Sequence, residues 1–244
     1  MPALTIDCFV GAFPEYPSDT VVVGVDVIRS TTTAITAVDA GHRCHVVPSL
    51  EEAMRLHGLL DEPLLAGELG GNMPFGFDLN NSPAAMAQLP HPERPVVLLS
   101  SSGTRLLTLA ASRHATTMVA CLRNWHATAD AIAALGPSSV VLVGAGTRGE
   151  FRDEDQICCA WIAGRLVDRG YRVAASTRRV VDRWRDIPAE AIAEGPSARY
   201  LRDSGQLADL DFILEHVGDL DATFEMRGSE VIRSTADATG FADG

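Results

Sequence analysis

Short apolar runs alternate with amphipathic segments along the chain, and the two kinds of segment differ in period. Val21–Val25 and Val96–Leu99 are continuous apolar runs, which are typical of strands buried on both faces of a sheet. Leu50–Leu60 and Asn124–Leu135 instead repeat apolar residues at the helical period. The other predicted strands are Leu4–Val10, His45–Pro48, Leu64–Ala66, Thr117–Ala120, Val140–Val143 and Tyr171–Ala175.

This alternation of strands and helices predicts an α/β fold. We expect a three-layer α/β/α arrangement around a mostly parallel sheet, with the ligand site beyond the carboxyl ends of the strands. From Asp182 onward the chain is charged and mostly helical in pattern. A single domain is therefore predicted over residues 1–233, followed by a polar C-terminal tail over residues 234–244.

The negative net charge of the chain indicates which kinds of binding partner are not expected. The formal net charge is −12, which argues against binding to nucleic acid or to an anionic membrane, because either needs a basic face. No apolar run approaches the roughly 20 residues of a membrane span, and no signal peptide is recognised. The five cysteines form no Cys-x-x-Cys pair, so a reduced set of thiols and a cytoplasmic location are expected.

The segment after the first continuous apolar run combines a carboxylate with anion-binding groups. Asp26 ends the run, Arg29 follows, and Ser30 and Thr31 stand where a helix should begin. Free N–H groups and the helix dipole attract an anion at such a position, and a guanidinium adds a fork-like grip. Because Asp26 would repel an anion unless a cation lay between them, the turn is interpreted as half of a metal and anion site. A capped helix beside a solvated ion pair is the alternative.

Further candidates follow later apolar runs. Glu68 and Asp78 are carboxylates on predicted loops and suit Mg²⁺, which binds few carboxylates together with water and substrate oxygens. Asn81 is a candidate substrate ligand on the second of these loops, although its surroundings also suit a simple turn. Ser101 and Ser102 lie in a hydroxyl-rich turn that could cradle a phosphoryl group or simply cap a helix. Asn124, after another strand, is also a candidate for substrate binding.

The segment Gly144–Asp155 is the densest in charge. It contains Arg148 and four carboxylates, among them Glu150 and Asp155, which are candidates for acid–base catalysis or metal binding. It also contains a Gly-x-Gly-x-x-Gly pattern directly after a strand, which is typical of dinucleotide binding. A pyrophosphate at this turn would be repelled by the carboxylates, so an NADP-dependent oxidoreductase is kept only as an alternative.

Taken together, seven segments resemble the 2-phosphosulfolactate phosphatases of coenzyme M biosynthesis. The resemblance covers about residues 20–215, and the segments stand in the order of the family: VDVIRSTTT, AGELGG, GFDLNNSP, SSSGTR, CLRN, VLVGAGTRGEFRDED and GPSARYLRDSGQLADLDF. It implies an α/β fold and Mg²⁺-dependent hydrolysis of a phosphate monoester that also carries a sulfonate and a carboxylate.

The resemblance also implies roles for individual residues. Asp26, Glu68 and Asp155 match positions expected to bind metal or to act in acid–base chemistry. The positions expected to bind the anionic substrate are Arg29, Thr31, Asn81, Ser101 and Arg148. Asn80 and Ser102 stand where the family usually has Gly and Asn, so a non-catalytic protein that binds an anionic metabolite is the second reading. Soluble enzymes are commonly homo-oligomers, and a homo-oligomer is expected.

Overall fold

The apolar runs of the sequence form the strands of one sheet. This computed structural model describes residues 1–9, 16–17, 19–147 and 149–234. Among these residues, ten strands form a single sheet. The strands are β1 (Ala3–Cys8), β2 (Val21–Val25), β3 (Cys44–Val47), β4 (Leu64–Gly67), β5 (Val96–Leu99), β6 (Thr117–Ala120), β7 (Ser139–Gly144), β8 (Arg172–Val173), β9 (Phe224–Arg227) and β10 (Glu230–Arg233).

Helices connect most of these strands, as the helical periods predict. Ser49 caps one of them, since its hydroxyl accepts the Glu52 N–H at 3.3 Å. The helices are α1 (Ser30–Asp39), α2 (Leu50–His57), α3 (Pro83–Met86), α4 (Gly103–Ala111), α5 (Trp125–Leu135), α6 (Asp153–Val167), α7 (Ala175–Trp184), a 3₁₀ helix (Ala189–Glu194), α8 (Pro196–Asp203) and α9 (Leu207–Glu215). No helix of the described residues is long and apolar enough to cross a membrane.

The strand order is β4-β5-β3-β10-β9-β6-β2-β7-β1-β8. All pairings are parallel except the three that involve the β9–β10 hairpin, which lies between β3 and β6. Three successive antiparallel pairings reverse the strand direction, so β3–β5 run opposite to the group of β6, β2, β7 and β1. The predicted mostly parallel sheet is confirmed, whereas a common direction for all its strands is not found.

Helices cover both faces of the sheet. On β2, Val23 and Val25 pack in a cluster with residues of α5 and α6. Val22, whose side chain points to the opposite face, packs against Leu106 and Ala110 of α4. Because both faces are covered, every residue of β2 is buried, which explains the continuous apolar run. The predicted three-layer α/β/α architecture is confirmed.

Two strand-to-helix turns share one local geometry. After β2, the Thr31 hydroxyl accepts the Asp26 N–H at 2.9 Å and donates to the Asp26 carbonyl at 2.8 Å. After β5, the Thr104 hydroxyl accepts the Ser100 N–H at 2.9 Å and donates to the Ser100 carbonyl at 3.0 Å. In each turn a threonine hydroxyl satisfies backbone groups that the strand and the helix leave free. Both turns therefore hold their residues in a fixed position at a helix N-terminus.

The C-terminal part of the chain differs from the prediction. The sequence predicts mostly helix after Asp182, but the β9–β10 hairpin lies in the middle of the sheet, where Phe224 is fully buried. The strand predicted over Tyr171–Ala175 is only Arg172–Val173, because α7 begins at Ala175. Residues 235–244 lie outside the described residues, so the division into a domain over 1–233 and a tail over 234–244 stays a prediction.

Candidate functional site

The turns that follow several strands line one cavity of about 640 Å³. Its walls come from the β2–α1 and β5–α4 turns, the loop after β4, the segment between β7 and α6, and helix α8. The cavity brings together seven residues that the sequence singles out: Asp26, Arg29, Glu68, Asn81, Ser101, Ser102 and Asp155. A cavity of this size suits a small-molecule ligand.

Asp26 is the carboxylate at the end of β2, and it is only 8% exposed. Burial raises the pKa of Asp26 to about 7, and the negative charges of Glu68 and Glu154 add to this shift. A hydrogen bond from the Ser30 N–H and the positive charge of Arg29 act in the opposite direction. A carboxyl group with a pKa near neutrality changes its protonation state readily, which suits acid–base chemistry or binding of a cation.

The N-terminus of α4 packs directly onto this carboxylate. At Gly103 a side-chain Cβ would collide with the Asp26 carboxylate oxygen and with the Ser30 side chain. Glycine is therefore required for the close approach of the two turns. Ser30 is buried beneath this contact, and its hydroxyl oxygen makes no hydrogen bond within the described residues.

Asp155 lies in the first turn of α6 and faces Asp26. Its Oδ1 accepts the Val27 N–H at 2.9 Å, and its Oδ2 accepts the Gly146 N–H at 3.0 Å. Burial raises the pKa of Asp155 well above its usual range, and the negative charges of Asp26 and Glu154 reinforce the shift. The backbone contacts fix the carboxyl group in place and lower its pKa in part.

Glu154 is the third buried carboxyl group of the cavity. It is 1% exposed, and burial raises its pKa, while a hydrogen bond with the Ser197 side chain lowers it. Its Oε2 atom makes no hydrogen bond within the part of the chain that the structure describes. An unpartnered buried carboxylate oxygen is costly, so this atom is available to bind a ligand, a water molecule or a cation.

Glu68 is held by donors on the opposite wall of the cavity. Its Oε1 accepts the Ser101 N–H at 2.7 Å, and its Oε2 accepts the Gly71 N–H at 2.6 Å and the Ser101 hydroxyl at 3.0 Å. The Ser101 hydroxyl in turn accepts the Gly70 N–H at 2.8 Å. These bonds join the loop after β4 to the turn before α4, so Glu68 and Ser101 act as one unit.

Arg29 lines the cavity at the N-terminus of α1, and it is 5% exposed. Its Nη1 atom forms an ion pair with Asp209 of α9 at 2.5 Å and donates to Gln206 Oε1 at 2.6 Å. Asn81 lies nearby and is 3% exposed, and its Oδ1 atom has no hydrogen-bond partner among the described residues. The guanidinium is thus held from behind while one side of it faces the cavity.

Three predicted site residues serve the fold at other positions. Thr31 forms the turn hydrogen bonds after β2. Asn124 is fully buried. Its Oδ1 accepts the Cys121 N–H, and its Nδ2 donates to the Val119 carbonyl and to the Thr128 hydroxyl. Asp78 accepts the Leu65 N–H at 2.8 Å. None of the three lines the cavity, so the structure gives no support to a role of Asn124 in substrate binding or of Asp78 in metal binding.

The structure also separates Glu150 from the other acidic candidates. Glu150 precedes α6, and its side chain is 74% exposed and lies 3.3 Å from Arg152. Because α6 begins at Asp153, Glu154 and Asp155 occupy its first turn and reach the cavity, whereas Glu150 does not. The geometry thus favours Glu154 over the predicted Glu150. Arg148 lies outside the described residues.

Several cavity residues were not singled out from the sequence. Arg105 and Arg152 add positive charge, and Tyr200 and Ser197 come from α8. Arg105 lies directly after the hydroxyl-rich turn of Ser101 and Ser102, and Arg152 lies among the carboxylates of Gly144–Asp155. Their positions beside these candidates could have predicted both arginines. Ser197 and Tyr200 lie in the family segment GPSARYLRDSGQLADLDF, but that segment does not show that α8 packs against the loop after β4 and so lines the cavity.

The buried carboxylates of the cavity offer oxygen ligands of the kind that a hard cation prefers. The negative charges of Asp26 and Glu154 raise the pKa of Asp155, and that of Glu154 also raises the pKa of Asp26, so a divalent cation bound among these carboxylates would offset the repulsion. However, the described residues contain no group of three or more His, Cys, Asp or Glu side chains arranged to hold a metal ion. The described carboxylates therefore do not form a cage of protein ligands, and a cation such as Mg²⁺, which takes one or two carboxylates together with water and substrate oxygens, would need the substrate to complete its ligands.

Comparison with known proteins identifies the family. A model of the 2-phosphosulpholactate phosphatase family matches residues 11–219. A probable 2-phosphosulfolactate phosphatase of Thermus thermophilus is 33% identical over 217 residues, which cover 86% of this chain and 88% of the relative. The corresponding protein of Deinococcus radiodurans is 32% identical over 206 residues, with 81% and 83% covered. That of Carboxydothermus hydrogenoformans is 37% identical over 152 residues, 62% of each chain. The chain therefore belongs to the 2-phosphosulfolactate phosphatase family, as the resemblance of its motifs predicts.

Proposed function

We propose that this protein hydrolyses 2-phosphosulfolactate to sulfolactate and inorganic phosphate. The family is one of phosphoric monoester hydrolases, the enzyme class expected from the sequence. The observation that carries the proposal is the convergence of Asp26, Glu68, Ser101 and Asp155 on one cavity. These residues come from four separate segments, and each segment belongs to the motifs that the chain has in common with the family.

The charges around the cavity support an anionic substrate. Arg29, Arg105 and Arg152 line it, and the N-termini of α1 and α4 meet beside Asp26. A substrate with a phosphate, a sulfonate and a carboxylate needs several positive groups at separate positions. The helix N-termini supply N–H groups and a positive dipole end, and the arginines supply hydrogen-bond donors of fixed geometry.

We further propose that Mg²⁺ is the cofactor, held by Asp26 and Asp155. When bound, Mg²⁺ would neutralise phosphoryl oxygens and polarise an attacking water molecule. Glu68 was also expected to bind the metal, and its two oxygens accept three hydrogen bonds from Gly71 and Ser101, which hold it against the turn before α4. Its proposed role is to fix the β5–α4 turn, and its charge contributes to the raised pKa of Asp26.

Glu154 is the proposed general base. Its Oε2 atom is buried and unpartnered within the described residues, and burial raises its pKa. A carboxylate with a raised pKa takes a proton from water more readily than an ordinary surface carboxylate does. The Ser197 hydrogen bond fixes its orientation, and Arg29 and the helix N-termini hold the anionic groups of the substrate.

The setting of the reaction is also a proposal. A cytoplasmic location follows from the reduced set of thiols expected of the five cysteines. The dephosphorylation would be a step of coenzyme M biosynthesis, in accordance with the family resemblance. We also propose a homo-oligomer and no nucleic-acid or membrane partner, in keeping with the negative net charge.

The decisive experiment is phosphate release from 2-phosphosulfolactate and from a panel of other small phosphate monoesters, with Mg²⁺ and with EDTA. We expect turnover of 2-phosphosulfolactate that EDTA abolishes and added Mg²⁺ restores. Full activity in EDTA would refute the metal dependence, and preference for another ester would change the substrate. Absence of release from every ester would leave the binding of an anionic metabolite as the function.

An NADP-dependent oxidoreductase has less structural support. In a dinucleotide fingerprint the glycines open the helix directly, whereas here Gly149 lies within a turn and α6 begins only at Asp153. Three carboxylates occupy the first turn of α6, and they would repel a pyrophosphate. A thermal shift on addition of NADPH would nevertheless reopen this alternative.

A further inference from the structure

A buried carboxylate of α9 lies behind the cavity and joins two of its walls. Asp209 is 3% exposed. Its Oδ2 forms the ion pair with Arg29 Nη1 at 2.5 Å, and its Oδ1 accepts the Ser82 hydroxyl at 2.5 Å and the Ala84 N–H at 3.2 Å. These partners lie 180, 127 and 125 residues away along the chain.

Gln206, at the start of the same helix, reinforces the arrangement. Its Oε1 accepts Arg29 Nη1 at 2.6 Å and Asn80 Nδ2 at 2.8 Å. The Asn80 Oδ1 accepts the Asn81 N–H at 2.7 Å. Arg29 and Asn81 both line the cavity. The N-terminal end of α9 therefore holds Arg29 directly and Asn81 through Asn80.

The burial of this ion pair is informative about its role. Both side chains are 4% exposed, and taking two charges out of water costs about as much as their attraction returns. Such a pair contributes little net stability compared with apolar residues of the same volume. What it supplies is a fixed direction for the guanidinium, because the Nη1 atom of Arg29 donates to Asp209 and to Gln206 at once.

We propose that Asp209 is a positioning residue for substrate binding, which fixes the guanidinium of Arg29 and, through Ser82 and Ala84, the segment that carries Asn81. This proposal rests on the proposed function, because it assumes that Arg29 binds an anionic group of the substrate.

The first test is Asp209→Asn, compared with Asp211→Asn as a matched control. Ser82 and Ala84 both donate to Oδ1, so the amide oxygen of asparagine takes that place and its NH₂ group replaces the acceptor of Arg29. We expect KM for 2-phosphosulfolactate to rise at least about tenfold, the scale of one charge-assisted hydrogen bond, with a smaller change in kcat. Asp211 is an exposed residue of the same helix, and its variant should retain the KM of the wild type.

A merely structural role gives a different result. Loss of folded protein lowers the apparent kcat and the melting temperature but leaves KM unchanged, because unfolded molecules do not bind substrate. Unchanged KM in Asp209→Asn would therefore overturn the proposal. If this variant does not fold, Gln206→Leu removes the second acceptor of Arg29 and leaves Asp209 in place. A rise in KM of a few-fold would then support the proposal, and no change would refute it.

Failure of the proposed function can be recognised separately. If the wild type releases no phosphate from any ester, the same variants are compared by calorimetric titration with 2-phosphosulfolactate and with inorganic phosphate. Weaker binding to Asp209→Asn than to Asp211→Asn would uphold the positioning role, although the reaction would be wrong. Equal binding to the two variants would refute the role of Asp209.

Discussion

The Tyr200 hydroxyl donates a hydrogen bond to the Gly71 carbonyl at 2.5 Å, and this bond joins helix α8 to the loop after β4. Both residues line the cavity. Gly71 also donates its N–H to Glu68, so the bond extends the network of Glu68 and Ser101 to α8. Gly71 has a φ of +90°, and a Cβ there would lie 2.7 Å from the Tyr200 hydroxyl oxygen.

Tyr200→Phe should weaken substrate binding while leaving the fold intact. The hydroxyl group is lost but the ring remains, and the Gly71 carbonyl is near the surface, where water replaces the lost donor. We expect KM to rise about two- to tenfold, the range for one neutral hydrogen bond, with little change in melting temperature. Steady-state kinetics and thermal unfolding measure the two effects.

Tyr171→Phe is the matched control for this change. The Tyr171 hydroxyl also donates to a backbone carbonyl, that of Ile132 at 3.3 Å, but Tyr171 is buried in the core. Its variant should lose stability and retain KM. Equal KM values in the two variants would show that the Tyr200 bond has no part in binding.

Much of this arrangement can be predicted from apolar runs and from the residues that follow them. Asp26, Glu68 and Ser101 each follow a strand, and residues at the carboxyl ends of strands in α/β sheets lie in loops where ligands bind. That β2 and the oppositely directed β4 and β5 contribute to the same cavity could not be predicted. The family, and with it the class of phosphoric monoester hydrolases, is likewise predicted correctly from the motifs. The strands and the family could be predicted because both depend on short stretches of local sequence.

Relationships that arise from tertiary packing could not be predicted. The reversal of direction depends on the β9–β10 hairpin, whose residues resemble the charged helical segments before them. Asp209 looks like any surface carboxylate of a charged helix, because its partner Arg29 lies 180 residues away. The sequence predicts a helix that begins near Asp153, as α6 does, but it does not show that Glu154 rather than Glu150 faces the cavity, because that depends on how α6 packs.

Gly103→Ala should abolish most of the activity. Its Cβ would press on the Asp26 carboxylate and on Ser30, so the two turns would have to separate. A displacement of catalytic groups by about 1 Å costs about 100-fold in rate, and overpacking costs about 1–3 kcal/mol of unfolding free energy. Gly58→Ala is the control, because the nearest atoms to its Cβ are at 3.7 Å, an ordinary contact. Activity in Gly103→Ala equal to that of this control would contradict the geometry.

Glu154→Gln and Glu150→Gln form a matched pair. The first removes the charge of the buried cavity carboxylate, and the second removes that of a 74% exposed one. If Glu154 is the general base, its variant should lose about 10²- to 10⁴-fold in kcat, whereas the other should differ little from the wild type. The reverse order would restore Glu150 as the catalytic candidate, and equal losses would remove Glu154 from that role.

Asn124→Ala should affect stability, whereas Asn81→Ala should affect substrate binding. Asn124 makes three hydrogen bonds within a buried turn, and their loss should lower the free energy of unfolding by about 2 kcal/mol without changing KM. Asn81 lines the cavity, and its Oδ1 has no hydrogen-bond partner among the described residues. Its variant should therefore raise KM and change the free energy of unfolding little. Kinetics and urea unfolding on both variants test this, and a raised KM in Asn124→Ala would assign that residue to the site after all.

The ion pairs of Asp130 predict a pH-dependent contribution to stability. Asp130 of α5 accepts two hydrogen bonds from Arg165, at 2.7 and 2.8 Å, and pairs with Arg169 at 2.6 Å. The hydrogen bonds from Arg165 lower the pKa of Asp130 to about 2, with Arg169 adding to the effect. Since this value lies below the unfolded pKa of about 4, the contribution is complete above about pH 4 and disappears as the pH falls toward 2.

Asp130→Asn should therefore lower the free energy of unfolding at pH 7 but not near pH 2. The side chain is 43% exposed, so solvent screening limits the loss at pH 7 to at most about 1 kcal/mol. Urea unfolding of the variant and the wild type between pH 7 and pH 2.5 measures the difference, which should shrink steadily below pH 4. Asp61→Asn, at an exposed carboxylate of a turn, controls for the loss of one negative charge. A difference that stays constant with pH would show that Asp130 acts through packing rather than through its charge.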